Sequence, residues 1–300
     1  MIPTYLWAVF TVTASGAQTL RNAMQRELIT SLGTVGATHV RFLFGLPVAV
    51  VFLGLVQYST ATVIVPKDPA ALSWILLGAL TQIIATALML ATMKARSFVV
   101  TIAYTKTEPV QVALFATLFL GERPTGLVLM AILIATLGVM LISWPKSSQF
   151  TDGVSAWQPA CLGIVAGGFF ALSAIGFRAG ILALHSPSFV IAASTSLVTG
   201  LAIQTLLLSL YLIAFDRKTF IAIFRSWRPS LLAGFMGAFA SQFWFLAFAI
   251  ANAASVRTLA LIEMIFAQLI SRRAFAQTTS KREFAGMALI IVGVVLLLNG

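Results

Sequence analysis

The 300-residue chain has few ionisable side chains, because only 9% of its residues are charged, against about a quarter in soluble domains. It has one cysteine, Cys161, which excludes an intrachain disulfide and a cysteine metal cluster. Its two histidines, His39 and His185, are far apart, and no spacing of side chains indicates a metal site. These shortages predict a chain without a metal.

Catalytic patterns are missing as well. Eight acidic residues without a neighbouring histidine give no acid–base pair and no activated nucleophile. The phosphate-binding pattern Gly-x-x-x-x-Gly-Lys-Ser/Thr does not occur, so the sequence does not predict a protein driven directly by ATP hydrolysis. The sequence therefore predicts a protein that is not an enzyme and that holds no cofactor.

Apolar residues make up 60% of the chain, and the mean hydropathy is +1.01. A helix needs about 20 apolar residues to cross a bilayer. The pattern predicts an all-α integral membrane protein with ten transmembrane helices, the first retained rather than cleaved as a signal. The predicted spans are 3–23, 34–57, 70–93, 97–120, 124–144, 158–180, 187–213, 229–250, 254–271 and 284–299.

The net charge of +11 comes from cations in short connections between these spans. That distribution indicates anionic lipid and membrane topology, rather than nucleic acid, as the reason for the charge. Thirteen cations, Arg21 among them, lie after odd-numbered spans, and four, including Arg257, lie after even-numbered ones. The count places the first set in the cytoplasm and both termini outside.

The longest polar connection, 146–157, lies at the middle of the chain and predicts a linker between two halves, 1–145 and 158–300. The stretch from Ser97 to Ser143 returns in weaker form 155 positions later, with Glu108 on Glu263 and Gly138 on Gly293. Five spans is an odd number, so the second half must enter the membrane from the opposite side. The prediction is two inverted five-helix repeats around a central cavity near the membrane midplane.

The centre of the repeated stretch carries charge inside an apolar run, where each charge costs roughly 2.5–3.5 kcal/mol. Glu108 shares a helical face with Tyr104, whereas Lys106 is predicted to point elsewhere and to need a partner such as Glu263. Pro109 frees a backbone carbonyl and predicts a hinge. Two interpretations stay open: the glutamates bind a coupling proton or cation, or they are fixed structural partners.

Several short motifs now stand in order: Arg21, Thr38-His39-Val40-Arg41-Phe42-Leu43, Glu108-Pro109-Val110 and Leu120-Gly121-Glu122-Arg123. Their order and spacing resemble ten-helix EamA-type members of the drug/metabolite transporter superfamily. The resemblance implies two inverted repeats, a central cavity and export of small metabolites. Within that superfamily, the sequence is similar to the aromatic amino acid exporters. The resemblance also implies cytoplasmic termini, against the charge count. The second half departs from the motif, with Glu263-Met264-Ile265 in place of Glu-Pro-Val.

A substrate cavity needs aromatic walls and a few polar groups. The candidate substrate-binding residues are Trp7, Gln18, Gln82, Tyr104, Gln242 and Trp244, and the candidate charged residues are Lys106, Glu108, Glu263 and Arg257. Export of amino acids is the first hypothesis, and efflux of cationic drugs, transport of an anionic metabolite and a non-transporting scaffold are the alternatives. The chain is expected to be a monomer in a bacterial-type plasma membrane. Its expected partners are a small-molecule substrate, lipid and a proton or other coupling ion.

Overall fold

The computed structural model describes residues 3, 5–62, 66–95, 98–143, 157–275 and 280–299, and every regular element within those ranges is helical. A 3-10 helix at Ala260–Ile262 joins α11 to α12. The α-helices are α1 (Leu6–Leu43), α2 (Gly45–Thr60), α3 (Pro69–Ala95), α4 (Phe98–Thr105), α5 (Glu108–Leu120), α6 (Gly126–Ser143), α7 (Trp157–Ala183), α8 (Phe189–Phe215), α9 (Arg217–Arg225), α10 (Trp227–Ile250), α11 (Ala253–Leu259), α12 (Glu263–Phe275) and α13 (Lys281–Leu298).

These helices form ten spans, which confirms the predicted all-α membrane fold. The end of α1 continues into α2 as one span, and two further spans consist of two helices each, α4 with α5 and α11 with α12. Five helical segments of the described chain are long and apolar enough to cross a membrane, and α5 and α6 are shorter apolar helices. Large apolar side chains such as Leu118 and Leu133 are 66% and 58% exposed, as expected for surfaces that face lipid.

Helix α1 is longer than the predicted first span, which ended at residue 23. It runs to Leu43 and is interrupted only at Gly33, whose backbone φ of 66° favours glycine. Across this break the Gln25 amide donates a hydrogen bond of 2.9 Å to the Ala37 carbonyl. Arg21 is therefore a mid-helix residue that is 1% exposed, and its assignment to a loop in the charge count was wrong. Arg257, within α11 and 5% exposed, is a second such error.

Two spans are broken near their middle. Helix α4 ends at Thr105 and α5 begins at Glu108, so that Pro109 lies in the first turn of a new helix, where its missing amide leaves no hydrogen bond unmade. Helix α11 gives way to the 3-10 turn, and α12 begins at Glu263. Both glutamates therefore stand at the start of a half-helix, where the partial positive charge of the helix dipole favours a carboxylate.

The helix bounds repeat along the chain. Helices α5 and α12 begin 155 positions apart and end 155 positions apart, and the same displacement relates α6 to α13. The packing has the same symmetry: α1 lies against α10 while α3 lies against α7, and α6 crosses α13. The linker predicted at 146–157 lies outside the described residues except for Trp157, where α7 begins.

The crossing of α6 and α13 depends on glycine. A Cβ atom on Gly138 would lie 2.6 Å from the Gly286 carbonyl oxygen, and one on Gly293 would lie 2.9 Å from the Ala131 carbonyl oxygen. Ala131 and Gly286 are themselves 155 positions apart, as are Gly138 and Gly293. The two contacts are therefore the same contact seen from either half, as a two-fold relation between inverted repeats requires.

Candidate functional site

A small cavity lies between the two broken spans, with space for about one water molecule. Its wall combines contributions from both halves of the chain. Five lining residues are ionisable, three are polar and three are apolar: Arg21, Lys106, Glu108, Arg257 and Glu263; Gln18, Asn22 and Thr105; Met89, Ile102 and Phe170. The four charged residues that were predicted from the sequence therefore meet at one place.

Glu263 is the most completely surrounded of them and is 0% exposed. One carboxylate oxygen, Oε2, accepts from the Lys106 ammonium and from the Gln18 amide, the latter at 3.0 Å. The other oxygen, Oε1, accepts from the Asn22 amide at 3.2 Å. Three donors of the first half, two on α1 and one in the break between α4 and α5, thus hold a carboxylate of the second half in one orientation.

Glu108 is held by a looser contact. Its Oε1 lies 3.0 Å from Nε of Arg257, but at an angle that makes no hydrogen bond, and neither of these two buried atoms has a hydrogen-bond partner among the described residues. The Arg257 guanidinium also lies over two aromatic rings, 4.6 Å from the Trp244 ring centre and 5.1 Å from that of Phe248. Stacking on aromatic faces stabilises Arg257 independently of the carboxylate.

The two ion pairs cross between the halves of the chain. Lys106 of the first half pairs with Glu263 of the second, and Arg257 of the second half pairs with Glu108 of the first. All four side chains are between 0% and 5% exposed. Each ion pair therefore links one half of the chain to the other.

Gln18 connects the two pairs. Its amide nitrogen donates to Glu263, while its amide oxygen accepts from the Trp244 indole at 3.0 Å. Trp244 in turn lies against Arg257. The chain of contacts runs from one glutamate through a glutamine, an indole and a guanidinium to the other glutamate.

Arg21 and Arg41 lie beside this network. Arg21 donates to the Asn22 side-chain oxygen at 2.6 Å, and Arg41 donates to the hydroxyls of Thr86 and Ser241 at 3.2 and 3.3 Å. Thr86 and Ser241 are 155 positions apart, so Arg41 reaches equivalent points of α3 and α10 from near the axis that relates the two halves.

A further ion pair lies away from the cavity. Arg178 Nε contacts the Glu122 carboxylate at 2.5 Å, and its Nη1 donates to the carbonyl oxygens of Phe248 and Ala251 at 2.6 Å each. This arginine therefore joins the connection that follows α5 to the end of α10. Arg178 is thus a partly buried arginine whose charge is paired with the Glu122 carboxylate.

The predicted substrate-binding residues separate into two groups. Gln18 lines the cavity, and Trp244 lies directly behind it. The others make contacts elsewhere: Gln82 accepts from Gln204 at 2.9 Å, and Gln242 donates to Ser194 at 3.1 Å. Trp7 packs with the apolar core, so the structure brings neither it nor the two glutamines to the cavity.

The predicted common face of Tyr104 and Glu108 is also absent. A Cβ atom on Gly163 would lie 2.4 Å from Tyr104 Cβ, so Tyr104 packs against α7, while Lys106 and Glu108 line one cavity together. The reason is the break at Lys106 and Thr107, since the spacing rule for one face assumes an unbroken helix. The prediction that Lys106 points elsewhere was therefore wrong, although its partner is the expected Glu263.

Arg21, Asn22 and Arg41 are absent from the candidate list drawn from the sequence, although two weaker expectations concerned them. Asn22 was expected either to line the same space as Gln18 and Arg21 or to bond neighbouring helices, and Arg41 was expected, with Lys106 and Arg257, to hold an anionic metabolite if that is the cargo. A signal was present, because Arg21 follows Gln18 by three positions and so lies on the same helical face. The assumed end of the first span at residue 23 hid it, since a cation at a helix end is ordinary.

Residues 2–144 match the EamA-like transporter family, which belongs to the drug/metabolite transporter superfamily. Proteins of this family are membrane transporters of small molecules rather than enzymes. A solved structure described only as "Crystal structure of protein" covers 98% of this chain and 95% of its own, with a TM-score of 0.69 at 13% identity, and so shares the fold. The chain has no match among the curated proteins.

Proposed function

We propose that the chain is a secondary active transporter that exports small metabolites bearing a carboxylate, with amino acids, aromatic ones included, as the first candidates. The crossed ion pairs Lys106–Glu263 and Arg257–Glu108 in a cavity between the two halves carry this proposal. The EamA-like match supports transport as the class of function. The proposed setting is a monomer in a bacterial-type plasma membrane.

The positions of the charges support alternating access as the proposed mechanism. Each pair joins one half to the other, so it holds the halves together only while both members stay paired. A substrate carboxylate competes with Glu108 for Arg257 because both are anions of the same geometry. Binding would thereby release one cross-link between the halves and let them rock about Pro109 and the second helix break.

Glu108 is the proposed coupling residue. A proton on Glu108 removes the charge that holds Arg257, and this exchange costs little because Arg257 keeps its aromatic contacts. Glu263, with three donors, keeps Lys106 in place throughout the cycle. In this proposal Glu108 binds the coupling proton and Glu263 is a fixed structural partner. Each of the two interpretations left open by the sequence thus applies to one glutamate.

The charge of the site argues against efflux of cationic drugs. Among the residues that the structure describes, four buried cations, Arg21, Arg41, Lys106 and Arg257, stand against two buried carboxylates. A cationic substrate would add to an existing excess of positive charge in a region of low dielectric constant. A carboxylate reduces that excess.

Counterflow in proteoliposomes tests the proposal. Vesicles that contain the purified chain and unlabelled phenylalanine should accumulate labelled phenylalanine, and uptake should depend on the pH on the two sides. Glu108→Gln should flatten that pH dependence, whereas Glu27→Gln, at an exposed carboxylate of α1, should leave it unchanged. Absence of counterflow for every amino acid and metabolite in a panel would favour the non-transporting scaffold instead.

A further inference from the structure

Within the described part of the chain, two of the four buried cations lack a counter-charge. Lys106 and Arg257 each contact a glutamate, but no carboxylate of the described residues lies within 4.0 Å of Arg21 or Arg41. Arg21 is 1% exposed and Arg41 is 2% exposed. The surplus of positive charge is therefore located at these two side chains.

The two arginines are neighbours. Both pack against Gly237 of α10, where an added Cβ atom would lie 3.0 Å from Arg41 Cγ and 3.4 Å from Arg21 Cδ. Arg21 lines the cavity, whereas Arg41 is not one of the lining residues and adjoins Arg21 at Gly237. A side chain larger than hydrogen at position 237 would separate them or push them aside.

Their hydrogen bonds leave donors unused. The partners are neutral: the Asn22 amide for Arg21, and the hydroxyls of Thr86 and Ser241 for Arg41. Within the described chain, Nε and Nη1 of Arg21 and Nε of Arg41 have no acceptor, although all three atoms are buried. Glu263, which is close enough to influence Arg21 electrostatically, is already engaged by Lys106, Gln18 and Asn22.

Buried charge of one sign is costly unless it is paired and hydrogen-bonded, and two adjacent like charges increase the cost. Guanidinium groups with free donors bind carboxylates in preference to other small groups, because the planar array of N–H donors matches the two oxygens. Two adjacent guanidinium groups without a counter-charge, one of them in the cavity wall, are therefore suited to contact anionic oxygen atoms of a ligand.

We propose that Arg21 and Arg41 form an anion subsite of the transport chamber, which binds a second acidic group of the substrate. This inference rests on the proposed function, in which a first carboxylate binds at Arg257. Within the proposed substrate class, it ranks small molecules with two carboxylates, such as dicarboxylates and acidic amino acids, above a single-carboxylate amino acid such as phenylalanine.

Thermal unfolding of the purified full-length chain in detergent tests the subsite directly, because a ligand that binds only the folded state raises Tm. Succinate and glutamate at millimolar concentration should raise Tm by several degrees, and phenylalanine or sodium chloride of equal ionic strength should raise it less. Equal shifts with chloride and succinate would overturn the proposal, since they would indicate a site for any small anion.

Variants locate the binding. Arg41→Gln and Arg21→Gln should each raise the half-saturating succinate concentration at least about 10-fold. Arg123→Gln removes an exposed arginine and should leave it unchanged. Arg178→Gln removes an arginine that has its own glutamate and should also keep the succinate response. Unaltered succinate binding in both Arg21→Gln and Arg41→Gln would overturn the assignment.

A gain-of-stability variant keeps the test valid if loss of an arginine prevents folding. Ser241→Asp places a carboxylate next to Arg41, whose Nη2 now lies 3.3 Å from the Ser241 hydroxyl. The variant should have a higher Tm than the parent without ligand, and it should lose the response to succinate. A lower Tm with the succinate response retained would contradict an unpaired charge at this position.

The outcomes separate this inference from the proposed function. Succinate-dependent stabilisation without any counterflow would support the anion subsite and count against transport. Counterflow of phenylalanine without stabilisation by succinate or glutamate would support export and overturn the subsite. Gly237→Ala adds a check that changes no charge. The added methyl group should displace the two arginines, so succinate binding should weaken while the effect of chloride stays the same.

Discussion

Glu108 and Glu263 occupy equivalent positions in the two halves of the chain, yet their surroundings differ. Each begins the second helix of a broken span, and the two lie 155 positions apart. Glu263 accepts hydrogen bonds from three side chains, whereas Glu108 has one charge contact without hydrogen-bond geometry. The two halves share the backbone position of the glutamate, while the side chains around it differ.

The difference indicates a division of work between the halves. A carboxylate with three donors is expensive to protonate or to move, because each donor would lose its acceptor. A carboxylate with one loose contact beside a guanidinium that stacks on Trp244 and Phe248 can change partner at lower cost. The second-half glutamate is thus suited to hold the structure, and the first-half glutamate is suited to exchange ligands.

Replacement of Glu263 should give the largest effect. Glu263→Gln leaves the Lys106 ammonium buried without a carboxylate, and the free energy of unfolding should fall by about 3–5 kcal/mol. Thermal and denaturant unfolding in detergent measures it. The matched control is Lys106→Met with Glu263→Gln, which removes both charges and should recover a large part of the loss. A double variant as unstable as Glu263→Gln alone would show that the Lys106 contact is unimportant.

Replacement of Glu108 should affect stability less and transport more. Glu108→Gln leaves Arg257 without its carboxylate, but the aromatic contacts remain, so the free energy of unfolding should fall by about 2–3 kcal/mol. Transport should lose its dependence on pH, as measured by counterflow at several pH values. If Glu263→Gln proves the milder change and also flattens the pH dependence, the assigned roles of the two glutamates are reversed.

Much of the fold could be predicted because its signals are local or repeated. Apolar runs gave the spans, since lipid accepts only apolar surface over a membrane's thickness, and the repeat of Glu108 at Glu263 gave the two-fold arrangement. The ends of α1 could not be found in this way. Arg21 and Gln25 resemble the start of a loop by composition, and only tertiary burial makes them part of a membrane helix.

The charged residues of the candidate site were predicted from the sequence, whereas most of the neutral polar residues that line it were not. Buried charge inside an apolar run must have a partner, so Lys106, Glu108, Arg257 and Glu263 were visible in the sequence. Gln82 and Gln242 have the same composition signal as Gln18, but they bond to α8 instead of lining the cavity. A neutral amide can be satisfied by any neighbouring helix, so its residue type does not show which space it faces.

The packing of the broken spans offers a matched pair of glycine variants. Gly167 of α7 faces the first broken span, where an added Cβ atom would lie 2.9 Å from the Thr105 carbonyl oxygen. Gly16 of α1 faces the second, with the nearest atom, on the Phe266 ring, at 3.8 Å. Gly167→Ala should lower the free energy of unfolding by about 1–2 kcal/mol. Gly16→Ala should be neutral or stabilising by less than about 1 kcal/mol.

Both variants can be compared by thermal unfolding, with Gly126→Ala as an open-space control, because no atom lies within 4 Å of an added Cβ there. Gly167→Ala should also shift the pH dependence of counterflow, since it displaces the backbone that carries Lys106 and Glu108. Equal losses of stability in Gly167→Ala and Gly16→Ala would mean that the two broken spans are packed with equal closeness, contrary to the distances.

The smallest expected effect tests whether the two glutamates are coupled through Gln18. Trp244→Phe keeps an aromatic face for Arg257 but removes the indole donor to the Gln18 oxygen, and should cost about 1 kcal/mol of unfolding free energy. Because Gln18 also donates to Glu263, loss of its second anchor should make the Glu263→Gln change less costly in the Trp244→Phe background. A double-mutant cycle of the two substitutions measures this coupling. Additive effects would show that the two ion pairs act independently, and that Gln18 connects them without transmitting energy between them.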